Sequence, residues 1–221
     1  MANSEITHQR AQEFIFEALH LDTHLPTTAT AQQMQAEDWD YVLKIAGEHR
    51  LGAMLHNRLK RDDLARIIPE QVLTYLKAAY RKSALRSLVV YRELAKVTRL
   101  LDAANIPSIA LKGAYLARFA YPDSALRPMR DLDLLLKPEQ AIRAFELLKE
   151  CGYRPLFGAS PEAYLIGSEH FPPMISPEGV SIELHHRLNE SDQAYLCGSE
   201  DEIWARSLLN RSLTGTKKHS L

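Results

Sequence analysis

The run Arg130-Asp131-Leu132-Asp133-Leu134-Leu135-Leu136 constrains the fold of this chain more than any other, because it sets two carboxylates one residue apart in an apolar, strand-like stretch. Successive side chains of a β-strand point to opposite faces. Asp131 and Asp133 therefore share one face, and Leu132, Leu134 and Leu136 share the other. The leucines predict a buried face. Two aspartates spaced about 6.5 to 7 Å along a strand suit a hard cation with oxygen ligands, such as Mg²⁺. Taken alone, an Asp-x-Asp pattern more often marks an edge strand whose wet face carries charge to discourage pairing. Its neighbours in sequence shift that balance.

Upstream, Ile106-Pro107-Ser108-Ile109-Ala110-Leu111-Lys112-Gly113 is a β-prone run closed by Lys-Gly, followed by a helical stretch from Ala114 to Tyr121. Strand, glycine and helix start together form an anion-binding geometry. Glycine lets backbone approach a phosphate, the helix N-terminus offers free N–H groups, and Lys112 adds a point charge. Downstream, Val180-Ser181-Ile182-Glu183-Leu184-His185-His186 alternates again, with Glu183 a lone acid between apolar residues. Beside the Asp-x-Asp strand it would complete a three-carboxylate site.

The order Leu111-Lys112-Gly113, Tyr121-Pro122, Leu126-Arg127-Pro128-Met129-Arg130-Asp131-Leu132-Asp133-Leu134-Leu135, Gly152-Tyr153 and Ile182-Glu183-Leu184-His185 resembles the uncharacterised nucleotidyltransferase branch of the polymerase-β-like nucleotidyltransferase superfamily. The resemblance covers about residues 35 to 210 and is most specific from 106 to 188. It implies transfer of a nucleoside monophosphate from a nucleoside triphosphate such as ATP to a hydroxyl acceptor: a small molecule, protein or RNA. It also implies Mg²⁺, or Mn²⁺ in its place, held by Asp131, Asp133 and Glu183 as the catalytic and metal-binding residues. Such chemistry needs the triphosphate held and the growing charge neutralised, which two ions about 3.5 to 4 Å apart accomplish together. The phosphates would fall to Lys112 and the Gly113 amide, with Arg127 and Arg130 as forked donors matching phosphate oxygens. In that superfamily a Gly-Ser pair stands where this chain has Lys112-Gly113.

Blander roles stand beside these. Arg127 and Arg130 are equally suited to internal ion pairs with Asp123 or the acids themselves, and Ser124 to a turn. His185 shares a face with Glu183, whereas His186 points the other way and reads as structural; His170 begins a strand and His49 and His56 read as surface or packed. Two alternatives come from other classes. One is a metal-dependent phosphoesterase, which would want more histidine among its ligands. The other is a degenerate nucleotidyltransferase fold serving as a nucleotide-binding or protein-interaction module.

The remaining pattern predicts an α+β protein: an N-terminal helical region at 1–105, a small mixed β-sheet backed by helices at 106–190, and a C-terminal helix with a disordered tail at 191–221. Helical periodicity marks 5–20 and a stretch from Asp38 broken near Gly47 or Gly52. It also runs from Pro69 to about Ala104, which suggests either a break near Ser83 to Ser87 or a helix joining two parts. That helix's basic residues, Lys77, Arg81, Lys82, Arg86, Arg92, Lys96 and Arg99, read as a solvated face rather than a polyanion cleft. Leu25 to Thr30 reads as a polar connector. After Asn105 come strand 108–112, helix 114–121, strand 131–136, helix 138–150 and strand 153–157. A hairpin of 170–176 with 180–186 follows, whose prolines push its first strand to an edge. The 27 basic and 28 acidic residues nearly cancel, so no global field draws nucleic acid or membrane. Cys151 and Cys197 form no disulfide framework, no secretory leader is evident, and no run reaches a membrane span. A cytoplasmic protein is expected.

Overall fold

The computed structural model describes residues 2–20, 27–60, 62–158, 160–188 and 202–207. The expected tail at 214–221, Cys197 and most of the segment after 190 lie outside these residues. Helices α1 (Ala2–Leu19), α2 (Thr27–Gln33), α3 (Ala36–Glu48), α4 (Gly52–Leu59), α5 (Asp62–Ala65) and α6 (Glu70–Ala103) come first. Then follow β1 (Ser108–Ala110), α7 (Lys112–Phe119), β2 (Asp131–Leu136), α8 (Pro138–Glu150), β3 (Arg154–Pro155), α9 (Pro161–Gly167), β4 (Met174–Ile175) and β5 (Ser181–His185). The architecture is α+β, as the alternating pattern predicts. The described residues divide into two compact units, Met1–Val89 with Leu116–Met129, and Val90–Tyr115 with Arg130–Leu221.

The first unit is built on helix packing. Phe14, Trp39, Val42, Leu55, Leu59, Leu64, Val72 and Leu76 are buried together, and the Phe14 and Trp39 rings meet edge-on at 5.1 Å. Truncating such a leucine to alanine costs about 2 to 5 kcal/mol, so this core alone can hold the unit. Asp38 is fully buried, takes the backbone N–H of Gln35 at 2.8 Å and lies 3.3 Å from Arg10, closing the N-terminus of α3. Gly52 allows α4 to approach α6, since a Cβ there would stand 2.7 Å from the Cβ of Ala79. Helix α2 begins inside the segment expected to be a connector and runs past it to the buried Ala31; tertiary burial outweighs its threonine-rich sequence. No break interrupts α6. Ser83 and Ser87 instead turn their hydroxyls to the carbonyls of Ala125 and Ser124, at 2.6 and 3.2 Å.

The second unit carries a five-stranded mixed sheet in the order β1-β2-β5-β4-β3. β2 pairs antiparallel with β1 and parallel with β5, so the edge-strand reading of the Asp-x-Asp run is wrong. Its leucines explain why: Leu132, Leu134, Leu135 and Leu136 are all fully buried, as a strand covered on both faces requires. The parallel pairing needs a long crossover. That crossover includes α8, which opens on Pro138 and packs Ala141, Ala144, Phe145 and Leu148 inward at helical spacing before Gly152, at φ +90°, ends it. The hairpin forms as expected, with Met174 opposite Ile182, but β4 is interior. Pro172 and Pro173 precede its ladder and deny it no hydrogen bond, and Pro155 sits on the true edge strand, β3. Near the end of α6, buried Glu93 accepts a hydrogen bond from Tyr153, whose ring lies under Lys96 at 5.4 Å. Among the described residues no helix is long and apolar enough to cross a membrane.

Candidate metal centre

Three segments of the second unit bring their polar side chains to one face of the sheet. The parallel register sets Asp133 beside Glu183 and Leu135 beside His185, so alternation puts all four on the same side. On the other flank β1 runs antiparallel to β2, and the backbone N–H of Leu111 continues the ladder to the carbonyl of Asp133 at 2.9 Å. The next residue turns the chain. Lys112 has φ +43°, in the left-handed region that favours glycine, and α7 starts there. The turn thus falls on the lysine, and Gly113 is already helical.

Asp133 is the hub. Its Oδ1 accepts from the Lys112 ammonium at 2.8 Å and from His185 Nε2 at 2.9 Å. The carboxylate is 3 % exposed, yet its neighbours decide its charge. Burial pushes its pKa up, but the hydrogen bonds from His185 and Lys112, with the charges behind them, hold it below the ordinary carboxylate value. For Lys112, burial works downward and is outweighed by the bond to Asp133 and the charges of Asp133, Glu183 and Asp131, so its pKa is raised. Each partner keeps the other ionised. His185 Nε2 also lies 3.6 Å from a Glu183 oxygen and 3.5 Å from the Lys112 ammonium.

Among the described residues, one ligand atom each from Asp133, Glu183 and His185 fall within 4.8 Å of one another. Two carboxylates and an imidazole are a chemically suitable donor set for a divalent ion. The Lys112 ammonium stands against them as a positive charge of the protein's own. Asp131 lies on the same face of β2, opposite Ser181, half-buried and outside that set of three. Arg130 is exposed at the entrance to β2. Arg127 belongs to the first unit, and its Nε is buried with no hydrogen-bond partner among the described residues. In that unit Asp123 accepts from Tyr80 and from the Ala125 backbone at 2.9 Å, and Ser124 opens a 3-10 turn, Ser124–Leu126. The turn role read for Ser124 fits its place.

The histidines separate as strand alternation implies. His186 points away, is fully buried and packs on Phe171 with ring centroids 5.5 Å apart. Burial and the nearby Arg187, His185 and His170 charges lower its pKa, and the Tyr164 backbone offsets them only in part. His170 pairs with His185 across the strands and packs against it at 5.1 Å, with its Nδ1 2.8 Å from the Phe171 carbonyl. His56, on α4, packs against Tyr80 at 5.3 Å.

Compared with known families, residues 35–218 match the model of an uncharacterised nucleotidyltransferase family. The chain belongs to that family. The match spans α3 through the sheet, so both compact units of this nucleotidyltransferase-family protein are included. No curated protein and no solved structure matches the chain at a significant level. Membership and the Asp133, Glu183 and His185 donor set together support a nucleotidyltransferase with a divalent-metal site.

Proposed function

We propose that the chain moves a nucleoside monophosphate from a nucleoside triphosphate to a hydroxyl acceptor and releases pyrophosphate. The observation that carries this reading is the meeting of Asp133, Glu183 and His185, with the Lys112 ammonium from the start of α7 bonded to Asp133. The acceptor oxygen forms a bond to the α-phosphorus as the bond from that phosphorus to the pyrophosphate oxygen breaks. The acceptor proton leaves to Glu183 or to water. A bound divalent ion, Mg²⁺ on the family resemblance or Mn²⁺, would neutralise charge on the transferring phosphoryl group. Asp133 and Glu183 would hold it, joined by Asp131 from the same face of β2. Lys112 would exchange Asp133 for the β- and γ-phosphates, assisted by the Gly113 amide in the first turn of α7 and by Arg130. Residues 106–190 supply the chemistry in this reading, with 1–105 as a helical region and 191–221 as a tail. Cys151, a free thiol, suits a reducing compartment such as the cytoplasm.

The test is transfer of label from α-³²P-labelled nucleoside triphosphates, with Mg²⁺ or Mn²⁺, to pooled metabolites, RNA and protein offered separately as acceptors. Label should move with equimolar pyrophosphate and stop in Asp133→Asn. An interaction module would neither turn over nor gain thermal stability from any triphosphate. One observation favours a phosphoesterase as the second reading, namely the imidazole in the donor set. Its mark would be inorganic phosphate from a phosphate ester with no label transferred.

A further inference from the structure

We infer that His185 binds the metal directly through Nε2, and that this imidazole shifts the centre's preference from Mg²⁺ toward first-row transition ions, Mn²⁺ among them. The inference rests on the divalent-ion part of the proposed function and deepens it. Mg²⁺ demands near-ideal octahedral geometry, favours oxygen ligands and holds its waters tightly, whereas first-row transition ions bind imidazole with an affinity that rises from Mn²⁺ toward Cu²⁺. A site built for Mg²⁺ alone has no use for an imidazole at a ligand position.

Three features put it there. Metal–ligand bonds of about 2.0 to 2.2 Å at right angles separate neighbouring donor atoms by about 3 Å. His185 Nε2 stands 2.9 Å from Asp133 Oδ1 and 3.6 Å from Glu183 Oε2, close to that edge on both sides. The ring is also held. His185 is 4 % exposed, lies on the same strand face as Glu183, and packs against the His170 ring, tilted 55° to it, at 5.1 Å. Lastly, two of the three ligand atoms already face a cation, since the Lys112 ammonium lies 2.8 Å from Asp133 Oδ1 and 3.5 Å from His185 Nε2. When a metal enters, the ammonium leaves and Nε2 presents its lone pair. Any proton on that nitrogen goes to solvent or appears on Nδ1, the tautomer in which Nε2 is a ligand.

The experiment is pulsed electron paramagnetic resonance of the full chain loaded with Mn²⁺, prepared with natural-abundance and with ¹⁵N-labelled histidine. Isothermal titrations with Mn²⁺ and Mg²⁺ accompany it. Nitrogen coupling should appear at the bound ion and change on histidine labelling. Mn²⁺ should bind at least about tenfold more tightly than Mg²⁺. His185→Gln should abolish the coupling and shrink the preference, whereas His170→Gln keeps both. Mn²⁺ bound without histidine coupling, coupling that survives in a folded His185→Gln, or no binding of either ion overturns the inference. The labelled wild-type protein decides the matter even if His185→Gln does not fold. Label transfer with Mg²⁺ and no nitrogen coupling would sink this inference and spare the proposed function. Nitrogen coupling in a chain that turns over no triphosphate would do the reverse.

Discussion

Each compact unit buries a carboxylate beside a basic side chain, and the two acids keep different kinds of company. Asp38 in the first unit is fully buried and Asp133 in the second is 3 % exposed. Asp38 answers to fixed groups, the Gln35 backbone N–H and Arg10, and its task is to close a helix end. Asp133 answers to two groups that can change partners: Lys112, whose side chain is 58 % exposed, and His185, which also reaches Glu183. Burial by itself therefore does not mark a functional acid. What marks it is the exchangeability of its partners and a second acid in reach.

The contrast can be broken by experiment. The largest effect is expected from Asp133→Asn, which should lower divalent-ion-dependent turnover by about a hundredfold or more while the chain stays folded by circular dichroism. Asp38→Ala should do the reverse. Urea unfolding should show a loss of about 1 to 2 kcal/mol, as for other lost helix caps, with metal affinity measured by titration unchanged. Equal damage to turnover from both variants would erase the distinction. Lys112→Ala removes the competing cation and should tighten Mn²⁺ binding in the absence of nucleotide by about two- to fivefold, the scale of a half-exposed ion pair. The same variant should weaken triphosphate binding, a sign reversal that no purely structural lysine would give.

The smallest effects concern pH, and each unit contributes a histidine lowered by burial. Burial, then the charges of Lys60, Lys77 and Arg81, lower the pKa of His56 from its ordinary 6.5. Near and below pH 6.5 the unfolded chain takes up the proton first, so His56 contributes stability above that pH and loses it as pH falls. The lowered pKa of Asp133 places its contribution above 3.8, lost on further acidification. Midpoints of urea unfolding measured from pH 7.5 to 5 should decline slightly, and because buried His186, lowered in the same direction, adds a decline of the same sign, His56→Gln should flatten only part of it.

Much of this was legible in the residues. Alternating leucines fix β2 at Asp131–Leu136, and Pro138-Glu139 with the closing Gly152 fix α8. Local chemistry also ends α6, since Asn105 takes the left-handed conformation at φ +56°. What local pattern does not carry is register. Alternation puts Glu183 and His185 on one face, but only the pairing of β2 with β5 sets Asp133 beside Glu183 and brings the imidazole onto the acid. For the same reason the sequence favours Asp131 as a partner of Asp133, whereas the nearest groups are Lys112 and His185. The interior position of β4 was hidden as well: the strand expected at 153–157 forms as Arg154–Pro155, but that it pairs with β4 and takes the edge is again a matter of register.

The backbone of Lys112 carries a final consequence. A side chain at φ +43° sits in a conformation that costs a branched-out residue about 1 kcal/mol relative to glycine. A Lys112→Gly chain would recover that backbone cost but leave buried Asp133 without its ammonium, so the two effects offset one another in stability, while triphosphate binding weakens as in Lys112→Ala. Backbone strain and ion pairing pull this one position in opposite directions, and a search for sturdier variants that scored only melting temperature would be blind to the phosphate contact that the proposed function gives its ammonium.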